Sequence, residues 1–361
     1  MDTFRIPEEI DQERRRFVGT AAMTIAAAQL GIVRSALSGS AEEQSGDAKA
    51  ANPRAIKTAA ETTFGPLKQI DAGLLNVGYA EAGPAEGPPV ILLHGWPYDI
   101  HSFVDVTPLL AKKGYRVIVP YLRGYGMTRF LSSETFRNGQ QSAVALDIIA
   151  LMDALSIKRA IIGGFDWGAR TADIMAALWP ERCKAIVSVG GYLIGSPAGN
   201  KEPLPPKAEF SWWYQYYFAT DRGKIGYGKY THDFNKLIWQ TASPKWNFDD
   251  AIYDRTAESF NNPDHVAIVI HNYRWRLGLA EGEPKYDHLD EKLSAGPVIT
   301  VPAIVLEGDA NGAPHANDDT AYRKQFSGKY AFRIIKGGVG HNLPQEAPQA
   351  FAKAVIEVDG Y

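Results

Sequence analysis

The chain has 361 residues, of which 45% are hydrophobic and 22% are charged, a composition typical of a globular protein with a sizeable core. Thirty-eight basic residues against 41 acidic residues give a net charge of −3, so the balance shows no sign of a nucleic-acid partner. The single cysteine, Cys183, excludes an internal disulfide framework and a cysteine-based zinc site. A mean hydropathy of −0.22 excludes a protein with many membrane spans.

Residues 1–41 have the pattern of an export signal. Arg14 and Arg15 precede an uncharged stretch over residues 17–33, and small and polar residues follow, which resembles a bacterial twin-arginine signal. We expect cleavage after Ala41 and a mature protein in the periplasm or outside the cell, without a stable membrane span. The alternatives are a retained membrane anchor, or an alanine-rich helix on the N-terminal arm of a cytoplasmic protein.

From about residue 66 the sequence alternates between short apolar runs and helical patterns. Such runs are typical of buried strands, and their alternation with helices predicts a mostly parallel twisted sheet with helices on both faces, an α/β fold. The pattern predicts helices over 143–155 and 171–178. The predicted strands are 74–82 (as an antiparallel edge strand), 89–93, 116–119, 160–162, 185–189, 303–306 and 332–335.

Residues 197–292 differ from the rest of the chain in composition and in hydrophobic pattern. They are dense in tryptophan and tyrosine, show helical stretches and lack strand alternation. We predict an inserted helical cap, or lid, over the carboxyl ends of the strands, where α/β folds bind ligands. The cap divides the core into residues 66–196 and 293–361, and residues 42–65 are interpreted as a linker.

A nucleophile motif follows the predicted strand 160–162. Gly164-Phe165-Asp166-Trp167-Gly168 has the form of the G-x-nucleophile-x-G elbow, with aspartate in place of the usual serine. An alternative role for Asp166 as a helix N-cap does not explain the glycines on both sides. We therefore predict that Asp166 is the nucleophile.

Candidate catalytic residues also follow three other predicted strands. His94-Gly95-Trp96-Pro97 follows strand 89–93, at a place where hydrolases use a backbone N–H for an oxyanion hole. Asp309 follows strand 303–306, and His341 lies on a glycine-rich loop beyond the last strand. The order nucleophile, acid, histidine is that of α/β-hydrolases.

With these motifs, residues 66–357 resemble an epoxide hydrolase of the α/β-hydrolase fold. The resemblance implies that Asp166 attacks the substrate to form an alkyl ester, which water activated by His341 then hydrolyses. It also implies an oxyanion hole formed by the backbone N–H groups of Trp96 and Trp167. No metal or organic cofactor is implied, and the expected substrate is a small apolar epoxide.

The resemblance further implies two cap tyrosines that bind and protonate the epoxide oxygen. Tyr273, in Asn272-Tyr273-Arg274, matches one of them, and Tyr214, after Trp213, matches the other. Tyr216 and Tyr217 are rivals for the second role because they follow within three residues.

The position of the acidic residue that would orient His341 departs from the family pattern. In many relatives it lies three residues after the glycine at the strand end, and here that position is Asn311. We predict Asp309, directly after Gly308, as the residue that orients His341. The alternatives are Asn311, which would orient a neutral histidine, and Glu307.

Two other functions remain open at the level of sequence. One is a dehalogenase, which shares the aspartate nucleophile and acts on an organohalide. The other is a catalytically inactive, exported protein that uses an aromatic pocket to bind an apolar ligand. The sequence does not indicate an oligomeric state.

Overall fold

The computed structural model describes residues 63–196 and 198–361. The predicted export signal and nearly all of the predicted linker lie outside these residues. Within the part that is described, no helix is both long and apolar enough to cross a membrane.

One mixed sheet of nine strands organises the described chain. The spatial order is β1-β2-β4-β3-β6-β7-β8-β9, and β5 pairs with β2. The strands from β4 to β9 along this order run parallel, whereas β2 runs antiparallel to its neighbours. The strands are β1 (Lys68–Ala72), β2 (Leu75–Ala82), β3 (Pro89–Leu93), β4 (Arg116–Pro120), β5 (Arg129–Phe130), β6 (Ala160–Phe165), β7 (Cys183–Val189), β8 (Ala303–Gly308) and β9 (Tyr330–Ile335).

The α/β fold class predicted from the sequence is confirmed, and one strand position is corrected. β2 is antiparallel as expected, but it is not an edge strand, because β1 pairs with its outer side. The sequence analysis missed β1 because three of its five residues are polar and most of it is exposed, which leaves no clear apolar alternation.

Helices cover both faces of the sheet. The core helices are α1 (Val106–Ala111), α2 (Gln141–Ala154), α3 (Trp167–Leu178), α11 (Leu343–Glu346) and α12 (Pro348–Val358). A Cβ atom at Gly163 would meet Phe351 of α12 at 3.1 Å, and one at Gly164 would meet the start of α3 at 2.4 Å. Because neighbouring residues of a strand face opposite sides, α3 and α12 lie on opposite faces. This double cover explains why β6, and β3 beyond Pro89, consist of buried apolar or glycine residues.

Between β7 and β8 the described chain forms helices and no strand. These seven α-helices are called the helical insertion, and they occupy the segment predicted as a cap. They are α4 (Pro206–Ser211), α5 (Trp213–Ala219), α6 (Asp221–Lys229), α7 (Thr231–Ala242), α8 (Asp250–Ala257), α9 (His265–Arg276) and α10 (Asp287–Ser294). Short 3₁₀ helices occur at Ile100–Phe103, Pro180–Arg182, Gly199–Lys201, Glu258–Asn261, Pro284–Tyr286, Asp319–Ala321 and Arg323–Gln325.

Candidate active site

The nucleophile elbow, residues 164–168, makes the sharp turn from β6 into α3. Asp166 has φ 53° and ψ −123°, a conformation that non-glycine residues rarely adopt and that costs energy. A Cβ atom at Gly164 would lie 2.4 Å from the carbonyl carbon of Gly168, and one at Gly168 would lie 1.9 Å from the Leu93 oxygen. Both glycines are therefore required by close backbone approach, and together they let the Asp166 side chain project from the turn.

Two groups contact the Asp166 carboxylate. The Trp96 backbone N–H donates to Oδ1 at 2.8 Å, and His341 Nε2 lies 3.5 Å from Oδ2. The side chain makes no capping hydrogen bond to α3, so the N-cap alternative does not describe its contacts. Burial alone would raise the pKa of Asp166, but His341, with smaller contributions from Arg170 and the Trp96 N–H, holds the pKa below its usual value. The carboxylate is thus ionised near neutral pH.

The oxyanion loop, residues 94–99, brings its backbone against the elbow. A Cβ atom at Gly95 would lie 2.3 Å from the Asp166 Cβ, so this position also needs glycine. The peptide bond between Trp96 and Pro97 is cis. The Trp167 N–H, predicted as the second oxyanion donor, is the first of helix α3 and has no acceptor within the helix.

The Trp96 side chain ties this loop to the helical insertion. Its indole Nε1–H donates to the Tyr227 hydroxyl at 2.9 Å, and that hydroxyl lies 2.9 Å from Nε2 of His265. Because the Tyr227 hydroxyl accepts from Trp96, its own proton goes to His265 Nε2, and the other ring nitrogen donates to the Gly124 carbonyl at 3.0 Å. Burial lowers the pKa of His265 to about 3, so the ring stays neutral.

Two further hydrogen bonds hold the same loop. Trp239 Nε1–H of α7 donates to the Pro97 carbonyl at 2.7 Å, and the Thr256 hydroxyl of α8 donates to Asp99 Oδ1 at 3.0 Å. Helices α6, α7 and α8 of the insertion therefore each contact the loop that supplies the N–H of Trp96.

The structure corrects the prediction that Asp309 orients His341. Asp309 is exposed, and its carboxylate accepts backbone N–H groups of Gly337, Gly338 and Val339 at 3.1, 2.8 and 3.0 Å. These hydrogen bonds, that of Gly337 first, lower the pKa of Asp309. Asp309 thus supports the turn that leads to His341, and the chain path directs its carboxylate away from the ring.

Asn311 occupies the place of the orienting residue. Its Oδ1 lies 3.2 Å from His341 Nδ1 and also accepts the Ala313 backbone N–H at 3.0 Å. An amide oxygen that also pairs with a neighbouring N–H acts as an acceptor, so His341 carries a proton on Nδ1, and Nε2 is the ring nitrogen that faces Asp166. The third candidate, Glu307, is fully buried at the end of β8. Residues 308–313 are called the acid loop below.

Two residues that the sequence analysis missed hold the His341 loop. The Ser243 hydroxyl accepts the His341 backbone N–H at 2.9 Å and donates to Glu346 Oε1 at 2.7 Å. The other oxygen of Glu346 accepts the Gly340 N–H at 2.6 Å. Ser243 caps the end of α7 in the insertion, far from His341 in sequence, so no local motif reveals this contact.

Tyr214 and Tyr273 are brought together next to Trp96. Their ring centroids are 5.4 Å apart, and each ring lies within 5.2 Å of the Trp96 ring. Burial raises the pKa of Tyr214 to about 12 and that of Tyr273 well above 10, and the Asp166 charge adds to both shifts. Both phenols therefore keep their protons at neutral pH and are hydrogen-bond donors.

The rival tyrosines lie elsewhere. The Tyr216 side chain is 49% exposed and its hydroxyl donates to Glu209. Tyr217 stacks on Phe234 with ring centroids 5.8 Å apart. Only Tyr214 of the three lines the cavity that contains Asp166 and His341.

A largely apolar cavity of about 240 Å³ opens onto Asp166 and His341. The core supplies its floor and the helical insertion supplies its walls. Its lining residues are Trp96, Asp166, Phe210, Ser211, Trp212, Trp213, Tyr214, Ile238, Thr241, Ala242, Gly312, Ala313 and His341. No cluster of three or more His, Cys, Asp or Glu residues suited to a metal ion occurs in the described ranges.

Comparison with known proteins agrees with this architecture. A family model of the α/β hydrolase fold matches residues 88–263. The crystal structure of a "putative epoxide hydrolase" from Klebsiella pneumoniae is 62% identical and superposes with a TM-score of 0.81, over 82% of this chain and 97% of that one. The chain therefore belongs to the α/β-hydrolase fold family.

Named relatives narrow the family further. Epoxide hydrolase B of Mycobacterium tuberculosis is 34% identical over 153 residues, which span 39% of this chain and only 42% of that protein. Epoxide hydrolase A of the same organism is 25% identical over 319 residues, 80% of this chain and 95% of that protein. Within the α/β-hydrolases, this protein is epoxide hydrolase-like.

Proposed function

We propose that the protein hydrolyses small apolar epoxides to vicinal diols through a covalent ester on Asp166. The observation that carries the proposal is the arrangement around the Asp166 carboxylate. One oxygen is held by the Trp96 N–H and the other faces His341, while the neutral phenols of Tyr214 and Tyr273 lie close by. Its relatives named as epoxide hydrolases support the same substrate class.

In the first step, Asp166 Oδ2 attacks a ring carbon of the epoxide. The new C–O bond forms as a ring C–O bond breaks, and the electron pair passes to the ring oxygen. That oxygen takes a proton from Tyr273 or Tyr214, and such a positioned donor contributes typically ~10²–10⁴-fold. Oδ1 stays on the Trp96 N–H throughout.

In the second step, His341 Nε2 takes a proton from a water molecule that attacks the Asp166 carboxyl carbon. Negative charge develops on Oδ1, where the N–H groups of Trp96 and Trp167 stabilise it. The bond from the carboxyl carbon to Oδ2 then breaks, and Oδ2 leaves in the diol with the proton returned by His341. The remaining water proton dissociates from Asp166 and balances the proton that the phenol gave up.

The Trp96 indole distinguishes this proposal from dehalogenation. Stabilising a departing halide takes N–H donors rather than a proton donor. The indole N–H of Trp96 already donates to Tyr227, whereas that of Trp167 is buried without a hydrogen-bond partner among the described residues. The two phenols beside Trp96 instead provide the protons that an epoxide oxygen requires.

A turnover panel tests the proposal. Purified protein is mixed with several epoxides, styrene oxide among them, with a haloalkane and with a haloacetate, and diol and halide are measured. We expect diol and no halide, and the absence of diol from every epoxide tested would refute the activity. A single turnover in H₂¹⁸O tests the covalent route, because the label should enter Asp166 while the first diol stays unlabelled. Label found directly in that first diol would exclude the ester.

We also propose that the protein is exported by the twin-arginine route. The proposal rests on the sequence pattern over residues 1–41. N-terminal sequencing after expression in a host with this export system is expected to give a mature chain that starts close to residue 42. A chain that still starts at Met1 would contradict it.

A further inference from the structure

Glu307 is a buried acid close in sequence to Asn311, the residue that contacts His341 Nδ1. Glu307 is 0% exposed, and neither carboxyl oxygen has a partner of ordinary hydrogen-bond geometry among the described residues. The groups that favour its charge are His341, the Asn311 side chain and the Ala316 backbone N–H. A buried, weakly satisfied carboxyl group is costly to retain, and its place in the fold calls for a reason.

Asn311 connects this acid to His341. The Asn311 amide oxygen is occupied by His341 Nδ1 and the Ala313 N–H. Its NH₂ group is therefore the part of the amide left free to face the Glu307 carboxyl, whose charged form Asn311 favours. An amide that donates to a carboxylate becomes a stronger acceptor at its oxygen, because hydrogen bonds in a chain polarise one another.

Asn311 alone leaves one requirement of the second step unmet. It fixes the His341 tautomer, but a neutral amide supplies no negative charge to the imidazolium that forms when His341 takes a proton from water. We infer that Glu307 is a positioning residue for His341, whose carboxylate, acting through the Asn311 amide, stabilises that imidazolium. Glu307 takes no proton in the step, and the inference rests on the proposed function.

If Glu307 acts in this way, the rate of ester hydrolysis should depend on whether Glu307 is ionised. Burial raises the pKa of Glu307 to about 7, against the opposing effect of His341 and Asn311. Tyr322 and Tyr330 also face it, but burial raises both of their pKa values to about 12, so they stay neutral. The acids that interact with the His341 charge are Asp166, Glu307 and Glu346. Ester hydrolysis should therefore accelerate as pH rises through about 7.

Single-turnover kinetics with styrene oxide test the inference, with the Asp166 ester followed by quenched-flow mass spectrometry. In Glu307→Gln, we expect ester formation at the wild-type rate and hydrolysis slower by about tenfold or more, as for a charge lost several ångströms away. The rise through pH 7 should disappear. In Glu307→Gln/Asn311→Asp, a carboxylate at Nδ1 should restore hydrolysis, a rescue that a purely structural role would not give.

The possible results distinguish a failure of the Glu307 inference from a failure of the proposed epoxide hydrolase function. Wild-type hydrolysis and pH dependence in Glu307→Gln, or slow hydrolysis that Asn311→Asp does not rescue, would overturn the inference alone. If wild type forms no ester, the proposed function and the inference fall together. If Glu307→Gln does not fold, Asn311→Asp decides alone: we expect faster hydrolysis at pH 6, and an unchanged pH profile would overturn the inference.

Discussion

The nucleophile elbow and the acid loop both follow strands of the same sheet, yet they are specified in different ways. In the elbow, close backbone approach leaves room only for glycine at positions 164 and 168, so the side chain between them must project. At the end of β8 and in the acid loop, two carboxylates and an amide lie within residues 307–311, and the path of the chain decides which one meets His341. A residue fixed by steric constraints, such as Asp166, can therefore be identified from the sequence. The partner of His341 cannot, because several similar polar groups lie close together in the sequence.

The largest effect is expected at the elbow. Asp166→Asn keeps the size of the side chain but removes the nucleophilic charge, so epoxide turnover should fall by ~10⁴-fold or more. Diol formation and intact mass after substrate addition are the measurements. Turnover close to that of wild type would contradict the role of Asp166.

Removal of the base should separate the two chemical steps. In His341→Gln, ester formation needs no base because Asp166 attacks as a carboxylate, whereas ester hydrolysis should slow by about 10³-fold. The assay is run above neutral pH, since the variant loses the group that most lowers the Asp166 pKa. Mass spectrometry of the elbow peptide should then show an adduct equal to the whole epoxide. Unchanged turnover without an adduct would contradict the assignment of His341 as base.

A smaller effect is expected in the helical insertion. Tyr273→Phe removes a proton donor to the ring oxygen, so ester formation should slow by about 10²-fold while ester hydrolysis is little changed. Tyr216→Phe is the matched control, since its hydroxyl faces Glu209 at the surface. Equal ester-formation rates in the two variants would move the donor role to Tyr214 or another residue.

The smallest effect is expected at the residue that the sequence singled out as the acid. Asp309→Asn leaves the Asn311–His341 contact in place, so kcat should change by less than about twofold. The same variant is the charge-loss control for Glu307→Gln, because it removes a carboxylate from the neighbouring loop. A loss as large as that of His341→Gln would restore Asp309 as the triad acid.

Much of the fold followed from sequence because buried parallel strands are short continuous apolar runs. β3 was predicted with its observed bounds, and β6 was found at its start but extended through Gly163 and Gly164, whose lack of side chains hid the strand. β1 was missed because it lies at the edge and is largely polar.

The contacts around the site were less predictable than its strand ends. Asp166, His341 and Trp96 each follow a strand, and their meeting follows from the sheet order. Ser243 and Tyr227 come from helices of the insertion, whose packing against the core depends on tertiary contacts rather than on any periodic pattern. The same holds for Asn311, since loop path rather than residue type brings it to His341.

The three hydrogen bonds that hold the oxyanion loop have a consequence for protein engineering. Trp96, Pro97 and Asp99 are each bonded to a different helix of the insertion. Substrate range in a protein built this way cannot be changed by grafting in a foreign lid as an independent module. A grafted insertion without the Tyr227, Trp239 and Thr256 contacts would leave the oxyanion loop free to shift. The turnover rate of the chimera would then fall for every substrate, even for one that fitted the new cavity well.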